Sequence, residues 1–252
     1  MSADYQILIV GSGISGLHCA LRLSQAFPKF KIAVAESYKS TGGRIATYSK
    51  GGLQWEAGAG RIANSHTMLK KYIKQYGLTE HPLQSHNDWR SINPLSEGKD
   101  TWRSFTEIVV KSLSGLSQRT LATHTIQELL RKFYGKDTEA LMKFFPYVAE
   151  VSSLRADLAL PAFKHEMKSP EGFFVVGEGF AAITDCMKKE LEERGVDFLF
   201  NHRLSAVEPN TSPIVCKFAG PDARSGARIT ADKVILAIPS KALQKINPFQ
   251  NL

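Results

Sequence analysis

The 252-residue chain has little cysteine: three residues, Cys19, Cys186 and Cys216, widely spaced and with no CxxC pair. That argues against a disulfide scaffold or a zinc module, gives no metal site, and fits a reducing, cytoplasmic setting. No apolar run approaches the roughly 18 residues that a membrane span requires. The opening residues Met1-Ser2-Ala3-Asp4-Tyr5 lack the basic and then apolar layout of a signal peptide, so Ile7 to Val10 reads as a strand. There is no internal repeat and no low-complexity stretch. Charge of one sign is not in large excess: 32 Lys+Arg face 24 Asp+Glu, a net of +8. The basic residues are scattered among acids, which reads as a basic surface and calls for no nucleic acid. What is present is a globular composition, 43% hydrophobic and 22% charged, in a length suited to one large domain or two modest ones.

Gln6 to Val10 is an apolar run that ends at a glycine, as a strand buried on both faces of a parallel sheet does. Gly11-Ser12-Gly13-Ile14-Ser15-Gly16 follows, then Leu17, Ala20, Leu21 and Leu23 at helical spacing. Lys31 to Glu36 reads as a second strand, so the unit is β-α-β. Gly11 allows the tight turn, Gly13 lets backbone approach a pyrophosphate, and Gly16 lets the helix pack closely on the sheet. The helix N-terminus then faces the anion. Glu36, at the end of the second strand, can accept hydrogen bonds from the ribose hydroxyls of an adenosine and would repel a 2′-phosphate. These residues point to an adenine dinucleotide and leave NAD and FAD both open.

After the second strand comes Ser40-Thr41-Gly42-Gly43-Arg44-Ile45, and then a hairpin with Lys50-Gly51-Gly52 in its turn. The hairpin leads into Trp55-Glu56-Ala57-Gly58-Ala59-Gly60-Arg61-Ile62. A helix with Met68, Leu69, Tyr72 and Ile73 on one face follows, with Gly77 as its C-cap. An NAD-type domain would proceed to another helix and strand here. Glycine-rich segments ending in Arg44 and Arg61 instead let backbone approach a long, flat ligand.

With these segments, IVGSGISGL, AES, GGRI and WEAGAGRI in order, the chain resembles the flavin-containing amine oxidoreductases, in the branch that includes amino-acid oxidases. Val176-Gly177-Glu178-Gly179-Phe180, opening a helix with Ile183, Met187 and Leu191 inward, extends the resemblance. So do strands at 196–200 and 203–207, and a final strand at Lys233 to Pro239. The resemblance implies an α/β fold: a Rossmann-like FAD-binding domain of the glutathione-reductase type, with an inserted, mainly helical part of a substrate domain. Gly11, Gly13, Ile14, Ser15 and Gly16 would hold the pyrophosphate of FAD, and Glu36 its ribose, with Ser37 beside it. Arg44 would lie near the diphosphate, with Gly42 and Gly43 giving room. Gly58, Ala59, Gly60 and Arg61 would run along the flavin ring, and the backbone of Leu204 would meet the adenine.

The activity so implied is oxidation of the C–N bond of an amine or amino acid to an imine, with hydride transfer to flavin and reoxidation by oxygen to give peroxide. Arg61 would bind a substrate carboxylate through a bidentate, charge-assisted fork. His165 is a looser candidate for a substrate-side histidine; a helix-surface role competes with it. His18 and Cys19 read as packing residues. Which other residue is catalytic stays unknown.

Residues 104–160 show helical periodicity, with Ile108, Val109, Leu113, Ile126, Leu129, Leu130, Phe133, Leu141, Phe144 and Phe145 expected inside. The polar segment 85–103, with Trp89 and Trp102 within it, reads as a loop and a boundary. The expected division is 1–84 and 176–252 for the FAD-binding domain and 85–175 for the helical insert. Family members run well beyond this length, and the resemblance implies that the missing half carries the rest of the substrate cap, a lysine that reaches a water at the flavin and a closing glycine-rich segment. A second chain supplying that half, a non-catalytic FAD-binding chain, and a desaturase or porphyrinogen-type oxidase therefore stay open beside the amine oxidase reading.

Overall fold

The computed structural model describes residues 2–83, 109–142, 148–167, 172–219 and 226–249. The loop with Trp89 and Trp102, and Ile108, Phe144 and Phe145, lie outside these residues, as does the side chain of Leu141. The chain divides into two compact units: 1–62 with 66–82 and 174–252, and 63–65 with 83–173.

The first unit is built on a six-stranded sheet of β1 (Tyr5–Val10), β2 (Ile32–Ala35), β8 (Asp197–Leu199), β9 (Arg203–Glu208), β10 (Ile214–Ala219) and β11 (Ala227–Leu236). Their order across the sheet is β8-β2-β1-β11-β10-β9. β8, β2, β1 and β11 run parallel, whereas β10 and β9 are antiparallel additions. Alternation along β1 and β2 sends Ile7, Ile9, Ile32 and Val34 to one face. There they meet α1 (Ile14–Ala26) and α9 (Ala181–Glu193) through Leu17, Leu21, Ile183, Met187 and Leu191. Leu8, Val10, Ala33 and Ala35 face the other side, with Phe218, Ile229 and Ile246. Both faces of the central strands are thus buried, which is why their sequence is continuously apolar.

Two strand boundaries differ from the sequence reading. β10 has no counterpart in it, and the final strand begins at Ala227 and ends at Leu236, where Lys233 to Pro239 was expected. The reason lies in pairing: Ala227 to Ala231 run antiparallel to β10, and Ala231 to Leu236 run parallel to β1. The charged Arg228 and Asp232 that interrupt its apolar pattern are both exposed.

The hairpin is β3 (Thr47–Lys50) and β4 (Leu53–Glu56), with Gly51 and Gly52 left-handed in its turn. A three-stranded sheet has the order β5-β7-β6, from β5 (Ile62–Ala63), β6 (Glu80–Pro82) and β7 (Phe173–Val176). Between β5 and β6 runs α2 (Thr67–Gln75). Gly77 at φ +66° follows it, with the Leu78 N–H on the Ile73 carbonyl and the Gly77 N–H on the Lys74 carbonyl, a Schellman ending. Ile73 is buried, but Met68 is 58% exposed rather than on the core face, because it sits in the first turn at the edge of the apolar stripe.

The second unit is helical where described. It contains α3 (109–113), α4 (Gln118–Thr123), α5 (Ile126–Tyr134), α6 (Asp137–Met142), α7 (Val148–Ser153) and α8 (Ala156–Met167). α5 starts with a capping box between Thr125 and Glu128. Val109, Leu113, Ile126, Leu129 and Leu130 form its core with Val151, Ala156 and Leu160. Phe133 departs from the expectation: it shares the face of Ile126, Leu129 and Leu130 but lies in the last turn of α5, where it is 51% exposed. The first unit also contains the short α10 (Ser240–Leu243). Among the described residues no helix is long and apolar enough to cross a membrane.

Candidate functional site

The glycine turn is pinned from several sides. The Gly11 N–H donates to the Ala35 carbonyl at 2.8 Å, and Gly11 takes φ +105°. A Cβ on Gly16 would lie 1.9 Å from the Gly11 carbonyl oxygen, so the helix can approach the turn only without a side chain there. Gly13 differs: a Cβ on it would meet only the Gly42 oxygen, at 4.0 Å. Its bare backbone therefore faces open space and not a packed neighbour. Gly13 is also the N-cap of α1, where no side chain caps the helix and no acid lies in the first turn. The first turn of α1, with half-buried Ile14 and exposed Ser15, thus leaves the positive end of the helix dipole open to an anion. The second glycine pair closes on the same turn. The Gly42 N–H donates to the Ser12 carbonyl at 3.0 Å, and Gly43 is left-handed at φ +62°, where a Cβ would lie 3.4 Å from the Gly13 Cα.

Glu36 follows β2 and is only 6% exposed. Its Oε2 accepts the Ser12 N–H and the Ser12 hydroxyl, both at 2.9 Å. Its Oε1 accepts the Ser37 hydroxyl at 2.9 Å and the Tyr38 N–H at 3.0 Å. Burial pushes the carboxyl pKa up, but the hydrogen bonds from Ser12, Tyr38 and Ser37 outweigh it and hold the pKa below its ordinary value. The β2–β8 ladder continues past the strands: the Glu36 N–H donates to Leu199, and the His202 N–H to the Glu36 carbonyl. That brings the segment leading to Leu204 alongside Glu36, with the Leu204 side chain buried in the core.

Arg44 and Arg61 are both exposed. Between them the backbone doubles back: Ala59 N–H donates to the Arg44 carbonyl at 3.2 Å, and a Cβ on Gly58 would fall 1.9 Å from that oxygen. Gly60 has nothing within 4 Å of a built Cβ. Gly43, Arg44 and the segment 58–61 are thus exposed, beside buried Gly42 and half-buried Gly13. His165 lies in α8, in the second unit, and its side chain is outside the described atoms. His18 bonds Tyr72 through Nδ1 at 2.7 Å, and Cys19 packs against the core, both in packing roles.

Three residues near these glycine segments escape a reading by motif. Ser12 is fully buried on Glu36. Thr47 and Glu56, from the hairpin, together close the N-terminus of α9: Glu56 accepts the Phe180 N–H and Thr47 the Ala181 N–H, each at 3.0 Å, and the Thr47 hydroxyl donates to Glu56. A Cβ on Gly179 would strike Thr47, so the glycine is required there. The one sequence signal for this was an acid beside a glycine-rich segment.

A parallel β-α-β unit, a bare helix N-terminus behind an open glycine and a buried, ionised carboxylate at the end of the second strand define an α/β dinucleotide-binding protein. The chain belongs to the flavin containing amine oxidoreductases, whose family model matches residues 14–252, and FAD is its cofactor. It is 25% identical to the L-amino-acid oxidase of Protobothrops flavoviridis over 96% of its own length and 53% of that protein's. It is 24% identical to the L-amino-acid oxidase of Vipera ammodytes ammodytes, over 95% and 55%. It therefore spans about half the length of the curated relatives it matches. A structure of putrescine oxidase bound to putrescine superposes with a TM-score of 0.67 at 19% identity, over 96% of this chain and 60% of that one, a likeness of fold.

Proposed function

We propose that the chain holds FAD along the first unit and forms the cofactor-binding half of an enzyme that oxidises the C–N bond of an amine or amino acid. The observation that carries this is the pairing of the open glycine turn with buried Glu36, within the matched family region. The residues fit the cofactor: the Gly13 side of the turn leaves room for a diphosphate, and no acid in the first turn of α1 opposes it. Glu36, held ionised, suits a ribose diol and not a phosphate. Bound FAD would supply the two-electron acceptor for the carbon bearing nitrogen, with oxygen taking the electrons on to hydrogen peroxide.

The chain's own residues have separate tasks in this proposal. The turn from Gly11 to Gly16 binds the diphosphate, and Glu36 orients the adenosine, with Ser37 and the backbone at Leu204 beside it. Arg44 adds a guanidinium near the diphosphate. Gly43, Gly58, Ala59 and Gly60 keep side chains away from the flat ring. Arg61 takes a substrate carboxylate through its fork, a reading supported by similarity to proteins named L-amino-acid oxidases. Monoamines, which lack the carboxylate, would not use it. The cytoplasmic location stays part of the proposal, resting on three cysteines that are all unpaired.

The test is peroxide release with L-amino acids against the amines formed by their decarboxylation, in wild type and Arg61→Ala. Preference for the amino acids that Arg61→Ala abolishes is the expected result. Equal turnover of both, or an unchanged Arg61→Ala, defeats the carboxylate role. A second reading is FAD binding without oxidation by residues 1–252 alone; peroxide release only after adding a second chain would decide for it.

A further inference from the structure

Glu36 has two oxygens and about four positions at which a carboxylate accepts hydrogen bonds. All four are used: Ser12 N–H and Oγ on Oε2, Ser37 Oγ and Tyr38 N–H on Oε1. Each ribose hydroxyl that bonds the carboxylate is a further donor, so at least one donor already present must yield. The two backbone donors are fixed by the turn and by the chain after β2. The two hydroxyls can rotate, and their surroundings are opposite. Ser12 is 0% exposed, and its own carbonyl already accepts the Gly42 N–H. Turning its hydroxyl away would leave a buried donor without water, at a cost of about 1–3 kcal/mol. Ser37 is exposed, and its hydroxyl can turn to solvent at little cost.

Resting on the FAD-binding reading, we propose that Ser12 is a positioning residue that clamps Oε2 of Glu36, whereas Ser37 is a placeholder that releases Oε1 to the ribose. The clamp fixes the carboxylate with Oε1 outward and keeps its charge from being shed on burial. Ser37 holds Oε1 satisfied until the ligand arrives. The two serines flank one carboxylate, yet only the buried one sets affinity.

The probes are adenosine diphosphate and its 2′,3′-dideoxy analogue, which keeps the diphosphate and lacks both ribose hydroxyls. Affinities are measured by equilibrium dialysis on wild type, Ser12→Ala and Ser37→Ala, beside an FAD titration. Wild type prefers the diol by at least about tenfold, as expected for bonds to a charged group. In Ser12→Ala that preference falls to about twofold while the dideoxy affinity stays within about twofold of wild type. In Ser37→Ala, an exposed change that cannot empty the core, the preference stays intact. Loss of both affinities alike in Ser12→Ala, an undiminished preference there, or a preference abolished by Ser37→Ala overturns the assignment. Wild-type protein that binds neither FAD nor adenosine diphosphate overturns the proposed function, and this assignment with it; FAD binding with an unchanged preference in Ser12→Ala overturns the assignment alone.

Discussion

The Glu56 carboxylate accepts the Phe180 N–H at 3.0 Å across 124 residues of sequence, so a hairpin from the first third of the chain caps a helix in the last third. α9 has no side-chain cap of its own at Phe180, and Thr47 adds a second bond at Ala181. Loss of such a cap costs about 0.5–2 kcal/mol. Glu56→Ala should therefore lower unfolding free energy by about that amount in a urea titration, with Glu56→Gln, which keeps an acceptor oxygen, losing less.

Two glycines of one turn should separate fold from ligand. Gly16→Ala forces a Cβ to within 1.9 Å of the Gly11 oxygen, and should destabilise by the upper end of the about 1–3 kcal/mol typical of overpacking, or more. Gly13→Ala has open space before it and should leave stability within about 0.5 kcal/mol. It should still weaken FAD by at least tenfold, about 1.4 kcal/mol, because the new methyl points at the proposed diphosphate. Thermal melts and flavin fluorescence titrations read the two effects apart.

Glu36 should make folding sensitive to acid. Its pKa is held below 4.5 in the fold, so it contributes stability above the ordinary carboxylate range. That contribution is lost as pH falls through 4.5 towards the folded value. Between about pH 6 and about pH 3, wild type should lose more stability than Glu36→Gln in parallel urea titrations. Equal losses would remove Glu36 from the acid response.

The cysteines should differ in reactivity. Burial pushes the Cys216 thiol up to about 11, and the residue is 0% exposed between β9 and β11. Near pH 8 a thiol reagent should leave Cys216 unmodified in the native protein and label it after urea denaturation. Mass spectrometry of the labelled peptides checks this.

What the sequence reveals here is local. The turn Gly11 to Gly16, the strand before it and the acid at Glu36 are set by short spacings, and they lie together in the structure. Long-range pairing is different. Nothing in the spacing announces that Glu56 caps Phe180, or that the Ser12 hydroxyl turns onto Glu36 when Ser37 is adjacent. Periodicity marks a helix face but not how far along the helix burial reaches, which is why Met68, in the first turn of α2, and Phe133, in the last turn of α5, are exposed. β11 changes partners along its length, so its first half carries no continuous apolar run.

FAD binding is the claim on which the rest depends, and an absorbance titration of the purified chain with FAD tests it most directly, with Glu36→Ala in parallel. Yellow protein with one FAD per chain, weakened at least about tenfold by Glu36→Ala, is the expected result. A colourless chain that cannot be reconstituted, or equal binding by Glu36→Ala, would contradict it.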